Sequence, residues 1–238
     1  MRDLIGRTDA VAAYAVQEQL TAARLAAGAV VVGRKIGLTS PAVQAQIGVS
    51  VPDFGVLFDD MSYGDGDVVP YGRLLQPKVE AEIAFVLAED LTDGPLDVPH
   101  IRAAVAYAVA ALEIVDSRIA GWDISYGDTV ADNASSGLYV LGTTRAGLDD
   151  FAPLEAEMSM TIDGQVVSTG NGAACLGDPL NALVWLAAKA RELGEPLRAG
   201  QVVLSGALGP MVAVQPGAVV AAEITGLGSV TATFAGSS

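Results

Sequence analysis

The sequence from Gln76 to Leu87 reads QPKVEAEIAFVL. Val79, Ile83, Phe85, Val86 and Leu87 make it a strand suited to an interior, yet it carries Glu80 and Glu82. Side chains at i and i+2 of a strand point to the same side, so the two carboxylates share one face. Burying unpaired like charges costs several kcal/mol each, to order of magnitude. Glu113, in ALEIVDSRI, sits on a second apolar strand. A divalent cation relieves such a cluster. Mg2+ and Mn2+ take hard oxygen ligands in octahedral geometry and keep positions open for water and substrate. The other reading is a solvated strand face, because E-x-E pairs are common there. The Val, Ile and Phe surroundings favour the metal.

Other polar residues stand in unusual company. Lys35 interrupts the apolar run VVVGRKIGL, Asp53 lies in VPDFG, and Asp132, Asn133, Ser135 and Ser136 crowd one loop. In a partly dry site a Lys or Asp serves as acid or base once its pKa is moved. Taken singly, each is as readily a snorkelling lysine, a turn aspartate or a capped loop. His100 is the only histidine and begins a helix, which fits a surface position. There is no G-x-S-x-G, no Walker loop and no dinucleotide fingerprint.

The elements that must position these groups follow from periodicity. Asp9 to Ala27 has helical spacing, with Gly28 as its C-terminal cap. VVVGRKIGLTS reads as a strand entering a polar turn, Pro41 to Ile47 as a short helix, and VPDFGVLF as turn then strand. Tyr63 to Tyr71 reads as a loop, Asp97 to Ala111 as a helix, and LEIVDSRI as a strand. GDTVADNASSGLYVLG reads as a loop and a strand. Met158 to Val167 suggests a hairpin turning at Asp163-Gly164. Asn181 to Leu193 suggests a helix closed by Gly194, and the rest a set of short strands. Early and central helices with late strands point to an α+β domain around a mixed or antiparallel sheet. No linker divides the 238 residues, so they are expected to form one domain with a short helical portion over about residues 1–30.

Composition sets outer limits. Thirteen Lys and Arg against 28 Asp and Glu give a net charge of −15, which argues against a general nucleic-acid binder. An anionic substrate would need a local cation. One cysteine, Cys175, excludes an internal disulfide and a cysteine-based zinc site, and fits a buried thiol in a reducing cytoplasm. The uncharged stretch Val202 to Ala222 holds Pro210 and Pro216, so it reads as strands and turns and not as a membrane helix.

Taken together, KIGLTS (35–40), PDFGVLFDDM (52–61), QPKVEAEIAFVL (76–87), LEIVDSRI (112–119), DTVADNASSGLYVLG (128–142) and LSGALGPMVAV (204–214) resemble the hydratase/decarboxylase branch of the fumarylacetoacetate hydrolase superfamily. The match is to its 2-keto-4-pentenoate hydratases. The resemblance implies a mixed β-roll with peripheral helices. It implies Mg2+ or Mn2+ held by Glu80, Glu82 and Glu113, active-site roles for Lys35 and Asp53, and substrate contacts from Ser135 and Ser205. It implies a cytoplasmic homo-oligomer adding water to a small anionic 2-hydroxy-2,4-dienoate in meta-cleavage catabolism, in possible complex with a paired decarboxylase. The sister decarboxylases of 2-oxo-3-hexenedioate share the glutamates but carry PIYGFL-like and SGG-like stretches where this chain has PDFGVL and SGALGPM. Decarboxylation is therefore the alternative within the family. A metal-binding partner subunit without activity is the alternative outside it. Family members carry a further segment before the first long helix, which here begins within the first ten residues.

Overall fold

The computed structural model describes residues 1–40, 44–45 and 48–236. Thirteen strands form two sheets among these residues. In chain order they are β1 Val31–Gly37, β2 Asp53–Phe58, β3 Ser62–Gly64, β4 Val68–Val69, β5 Lys78–Leu87, β6 Val105–Val115 and β7 Ser136–Leu141, followed by β8 Glu157–Ile162, β9 Gln165–Asn171, β10 Val202–Ala207, β11 Val212–Ala213, β12 Val219–Ile224 and β13 Gly228–Phe234. The larger sheet has the order β2-β1-β10-β5-β6-β7-β3, with β11 also paired to β5. The smaller has the order β4-β13-β12-β8-β9. Parallel β1–β10 and antiparallel β5–β6 pairs make the larger sheet mixed.

One apolar core runs through both sheets, from Ile36 and Phe54 through Ile83, Leu112 and Val140 to Met160, Ile224 and Phe234. Strands β5 and β6 lie at its centre. Both faces of such strands are covered, so their sequences lose the alternation of a half-exposed strand. This corrects the expectation of a helix over 97–111. Only Val98–Ala103 is helical, and β6 starts at Val105. The run VAYAVAAL looks helical because alanine favours helices. Ala108, Ala110 and Ala111 are nevertheless fully buried, and their small size lets the second sheet approach β6.

Two further expectations are corrected. Residues 63–71 are not a plain loop, because β3 pairs with β7 and β4 with β13. The stretch 126–135 holds a buried helix, Tyr126–Ala131, and a turn at Asn133–Ser135. The expected helix at 41–47 lies largely outside the described residues. The long helix Ala10–Ala26 is capped by Asp9, whose carboxylate accepts the Ala12 N–H at 3.0 Å. Buried Gln17 donates to the carbonyls of Phe54 and Val130, both at 2.9 Å, tying this helix to β2 and to the helix Tyr126–Ala131. The hairpin β8–β9 turns at Asp163-Gly164, as expected. The helix Pro179–Glu192 ends just before Gly194, which has φ 78°.

Strand β2 is an edge of the larger sheet, and its free backbone groups need partners. The Asn133 amide supplies them. Its Oδ1 accepts from Val56 N–H at 2.7 Å, and its Nδ2 donates to Val56 O at 2.9 Å. The β2 edge is thus tied to the turn that leads into β7, the strand next to the other end of the sheet order. Gly55 allows the approach, because a Cβ there would lie 2.4 Å from Asn133 O. Replacing Asn133 by Ala leaves the Val56 groups unpaired. The expected cost is on the order of 2 kcal/mol. An unchanged urea midpoint would show that Asn133 does not close the edge.

Candidate active site

The register of the central strands builds the site. Glu80 on β5 stands directly opposite Glu113 on β6, and Glu82 follows one pleat further along the same face. One carboxylate oxygen from each lies within 4.8 Å of the other two. Glu82 and Glu113 are buried, whereas Glu80 keeps partial access to solvent. Strand β1 brings Lys35 to the same place, with Nζ 2.9 Å from Glu113 Oε1. That contact is an ion pair lying off the hydrogen-bond axis. Both Glu113 oxygens therefore remain without a hydrogen-bond donor. Glu82 Oε1 and Asp53 Oδ1 are likewise buried and undonated.

Asp53 opens β2 opposite Gly37 on β1. A Cβ on Gly37 would lie 2.3 Å from Asp53 Oδ1 and 3.4 Å from Lys35 Nζ. Carboxyl and ammonium thus face the same bare backbone, and glycine is what lets them share it. The Tyr14 hydroxyl accepts from Phe54 N–H and the Tyr126 hydroxyl donates to Pro52 O, each at 3.3 Å. Asp53 is therefore held through its neighbours on both sides. Thr129 partly offsets the rise of the Asp53 carboxyl, and its hydroxyl stands 3.4 Å from Ser135 Oγ.

Protonation follows from burial and mutual repulsion. Burial pushes Asp53 up to about 6, with Lys35 opposing and Glu113 adding to the rise. Burial, then repulsion from Glu113, raises Glu80 to about 7 although part of its surface is open. The same causes lift Glu82 well above the ordinary range. Burial alone would lower Lys35, but Glu113, Asp53, Glu80 and Glu82 outweigh it and hold the ammonium charged. Burial lifts Tyr126 to about 12, and the Asp53 charge adds to it.

Lys35, Asp53, Glu80, Glu82 and Glu113 are brought into one cluster. Ser135 joins it through Thr129. Ser205 reaches it through its backbone, while its own hydroxyl is fully buried and 3.4 Å from Gly206 O. The other polar residues of that loop do structural work. Asp132 accepts from Arg118 Nε at 2.7 Å, Asn133 closes β2, and Ser136 Oγ donates to Asn133 O at 2.8 Å. His100 is exposed and paired with Asp97. Sequence reasoning passed over Gly37, Thr129, Tyr14, Tyr126 and Lys78. Lys78 was detectable, since it precedes Glu80 by two on the same strand. Its ammonium helps restrain the Glu80 carboxylate and lies 4.4 Å from the Trp122 ring. The two tyrosines carried no signal, because their helices meet only in the folded chain.

The donor set suits a divalent cation. Three carboxylates converge with oxygens that no protein group satisfies, and hard oxygens are what Mg2+ and Mn2+ take.

The family model of the fumarylacetoacetate (FAA) hydrolase C-terminal region matches residues 29–235. The chain belongs to the fumarylacetoacetate hydrolase family. A relative named 2-keto-4-pentenoate hydratase, from Burkholderia vietnamiensis, is 58% identical over 234 residues, covering 98% of this chain and 89% of the relative. The TodF product hydratase of Pseudomonas putida is 58% identical over 235 residues, covering 99% of this chain and 88% of its own. Among solved structures, 4-oxalocrotonate decarboxylase from Pseudomonas putida G7, complexed with magnesium and adipate, superposes with a TM-score of 0.90 at 38% identity, covering 94% of this chain and 85% of that one. The mixed-sheet architecture read from the sequence is thus that of the fumarylacetoacetate hydrolase family.

The raised carboxylates set the response to pH. The folded values of Glu80 and Glu82 lie above the ordinary 4.5, so between about pH 4.5 and 7 the folded state binds more protons than the unfolded one. The metal-free protein should lose stability as pH rises through that window. Ligation needs the deprotonated carboxylates. A fixed Mn2+ concentration, a hundredfold above the dissociation constant at pH 8, should therefore raise Tm at pH 8 by about 5–10 °C, and by much less at pH 5. Equal shifts at both pH values would contradict the clustering of these carboxylates at the cation.

Proposed function

We propose that this chain is a metal-dependent hydro-lyase. It adds water to 2-hydroxypenta-2,4-dienoate and yields 4-hydroxy-2-oxopentanoate in the meta-cleavage catabolism of aromatic compounds or steroids. The observation that carries the reading is the buried cluster of Glu80, Glu82, Glu113, Lys35 and Asp53, in a chain 58% identical over nearly its whole length to a named 2-keto-4-pentenoate hydratase.

Glu80, Glu82 and Glu113 would hold Mg2+ or Mn2+. When bound, the cation supplies a Lewis acid for the substrate's carboxylate and 2-oxygen. The remaining work falls to the protein. Lys35, held charged by its carboxylate neighbours, stabilises negative charge growing on the substrate oxygens without giving up its proton. Asp53, with a pKa of about 6, accepts and returns a proton near neutral pH. Ketonisation of the dienol carries the 2-hydroxyl proton to C5. Asp53 then takes a proton from the water that adds at C4, and C3 is protonated last, for a net gain of one water. Ser135, beside Thr129, and the backbone of Ser205 at the β10 bend complete the polar lining. The substrate is a small anion, so a further positive side chain beside Glu80, Lys78, also favours its approach.

The protein is further proposed to be a cytoplasmic homo-oligomer, able to pair with a decarboxylase that supplies its substrate. Among the described residues no helix is long and apolar enough to cross a membrane. Decarboxylation of a 2-oxo diacid is the second reading. It is favoured by the close superposition on 4-oxalocrotonate decarboxylase and by Lys78, a second cation on the Glu80 face that could meet a distal carboxylate.

The deciding experiment follows the absorbance of enzymatically generated 2-hydroxypenta-2,4-dienoate after EDTA treatment and again with Mg2+ or Mn2+, and identifies the product by mass. Metal-restored decay with a gain of one water is expected. Asp53→Asn should lower kcat by about 10²–10⁴-fold. Carbon dioxide release from 2-oxo-3-hexenedioate without dienol turnover would transfer the assignment to decarboxylase. Metal binding with turnover of neither substrate would leave a non-catalytic partner subunit.

A further inference from the structure

The lone cysteine lies against the carboxylate cluster without belonging to it. Cys175 is fully buried, and its Sγ donates to the carbonyl of Ser205 at 2.9 Å. The N–H of the same peptide unit, on Gly206, donates to Glu82 Oε2 at 2.8 Å. One peptide plane is therefore gripped at both ends, by a thiol at its oxygen and by a cluster carboxylate at its nitrogen.

The fold isolates this plane from the sheet. The β10–β5 register breaks between Leu204 and Ala207, so Ser205 and Gly206 lie outside the regular ladder. Gly206 has φ 111°, and a Cβ there would approach the Thr39 side chain to 2.4 Å. No side chain could occupy this position without displacing Thr39. The segment carrying Cys175 is fixed to the same turn, because Leu176 N–H donates to Thr39 O at 3.1 Å. Leu176 holds φ 48°, which a leucine adopts only when its surroundings impose it.

We propose that Cys175 is a positioning residue for the cation site. Its thiol fixes the Ser205–Gly206 peptide, so that the Gly206 N–H takes one oxygen of Glu82 and leaves the other, Oε1, free to ligate a cation. This rests on the metal reading given above. Glu82 Oε1 is buried and lacks any hydrogen-bond partner, as a ligand oxygen would. Donation to the Ser205 carbonyl also polarises the peptide and strengthens its N–H bond to the carboxylate. Burial, and next the Glu82 charge, push the thiol up to about 12, so it stays a donor and is not itself a thiolate ligand.

The test is Mn2+ affinity of the full chain by calorimetry, for the wild type, Cys175→Ala and Cys175→Ser. Groups that orient ligands are typically worth 10–100-fold in metal affinity. Cys175→Ala should weaken Mn2+ binding about tenfold and raise the metal concentration needed for half-maximal rate, with kcat near normal at saturating metal. Cys175→Ser keeps a donor and should stay within about threefold of the wild type. Equal affinity in Cys175→Ala and wild type, or equal losses in both variants, would overturn the inference and leave Cys175 a packing residue. If the wild type itself binds no Mn2+, the metal reading falls as well. A second measurement needs no variant. With a single cysteine in the chain, the S–H infrared stretch has one source. It should shift when Mg2+ is added, and a band indifferent to the cation would also overturn the inference.

Discussion

Four carboxylates and one ammonium occupy a space from which water is largely removed. Glu80, Glu82 and Glu113 come within 4.8 Å of one another, Asp53 lies beside them, and Lys35 offsets one charge only. At an effective dielectric constant of about 20, each like-charge pair at such a distance costs on the order of 3 kcal/mol. Three such pairs approach the whole net stability of a domain, about 5–15 kcal/mol. The cluster therefore cannot sit fully ionised and unaccompanied. It must take up protons, which the raised Glu80, Glu82 and Asp53 express, or a cation, which the undonated oxygens favour.

Much of the fold keeps that cluster together against its own repulsion. The β5–β6 register fixes Glu80 and Glu113 face to face. The break in β10 turns a peptide N–H onto Glu82. Two phenols brace the backbone around Asp53, and bare glycine at position 37 gives Lys35 and Asp53 room. Backbone strain gathers nearby. Asn133, Ala134 and Ser135 are consecutive residues with positive φ, of 55°, 50° and 54°. Such a turn persists only when its surroundings impose it. Here Arg118 binds Asp132 and the Ser136 carbonyl, and Asn133 is locked to Val56.

The same core can serve hydration or decarboxylation, since both put negative charge on a 2-oxygen beside a carboxylate. Lys78, with its ammonium over the Trp122 ring, is a further cation acting on Glu80. It lies in line with the two glutamates because all three occupy alternate positions of β5.

The sequence by itself determined the chemistry on offer. A carboxylate amid Val, Ile and Phe is costly enough to be visible without any structure, so Glu80, Glu82 and Glu113 could be read as a cation site, whereas Lys35 and Asp53, each as readily a snorkelling lysine or a turn aspartate when taken singly, gained active-site roles only through the family resemblance. It also determined the long first helix, the Asp163-Gly164 hairpin and the helix before Gly194, because caps, turns and periodicity are local. Tertiary structure alone decided the rest. The alanine-rich run at 104–111 became a strand because neighbours on both sides supplied a ladder and the second sheet needed small side chains there. The loop before β7 became a helix and a left-handed turn because residues distant in sequence hold it. The direction of each charge was settled in the same way. Register, a broken ladder at β10 and a peptide clamped between Cys175 and Glu82 join positions far apart in the chain, and no local pattern encodes where distant backbones meet.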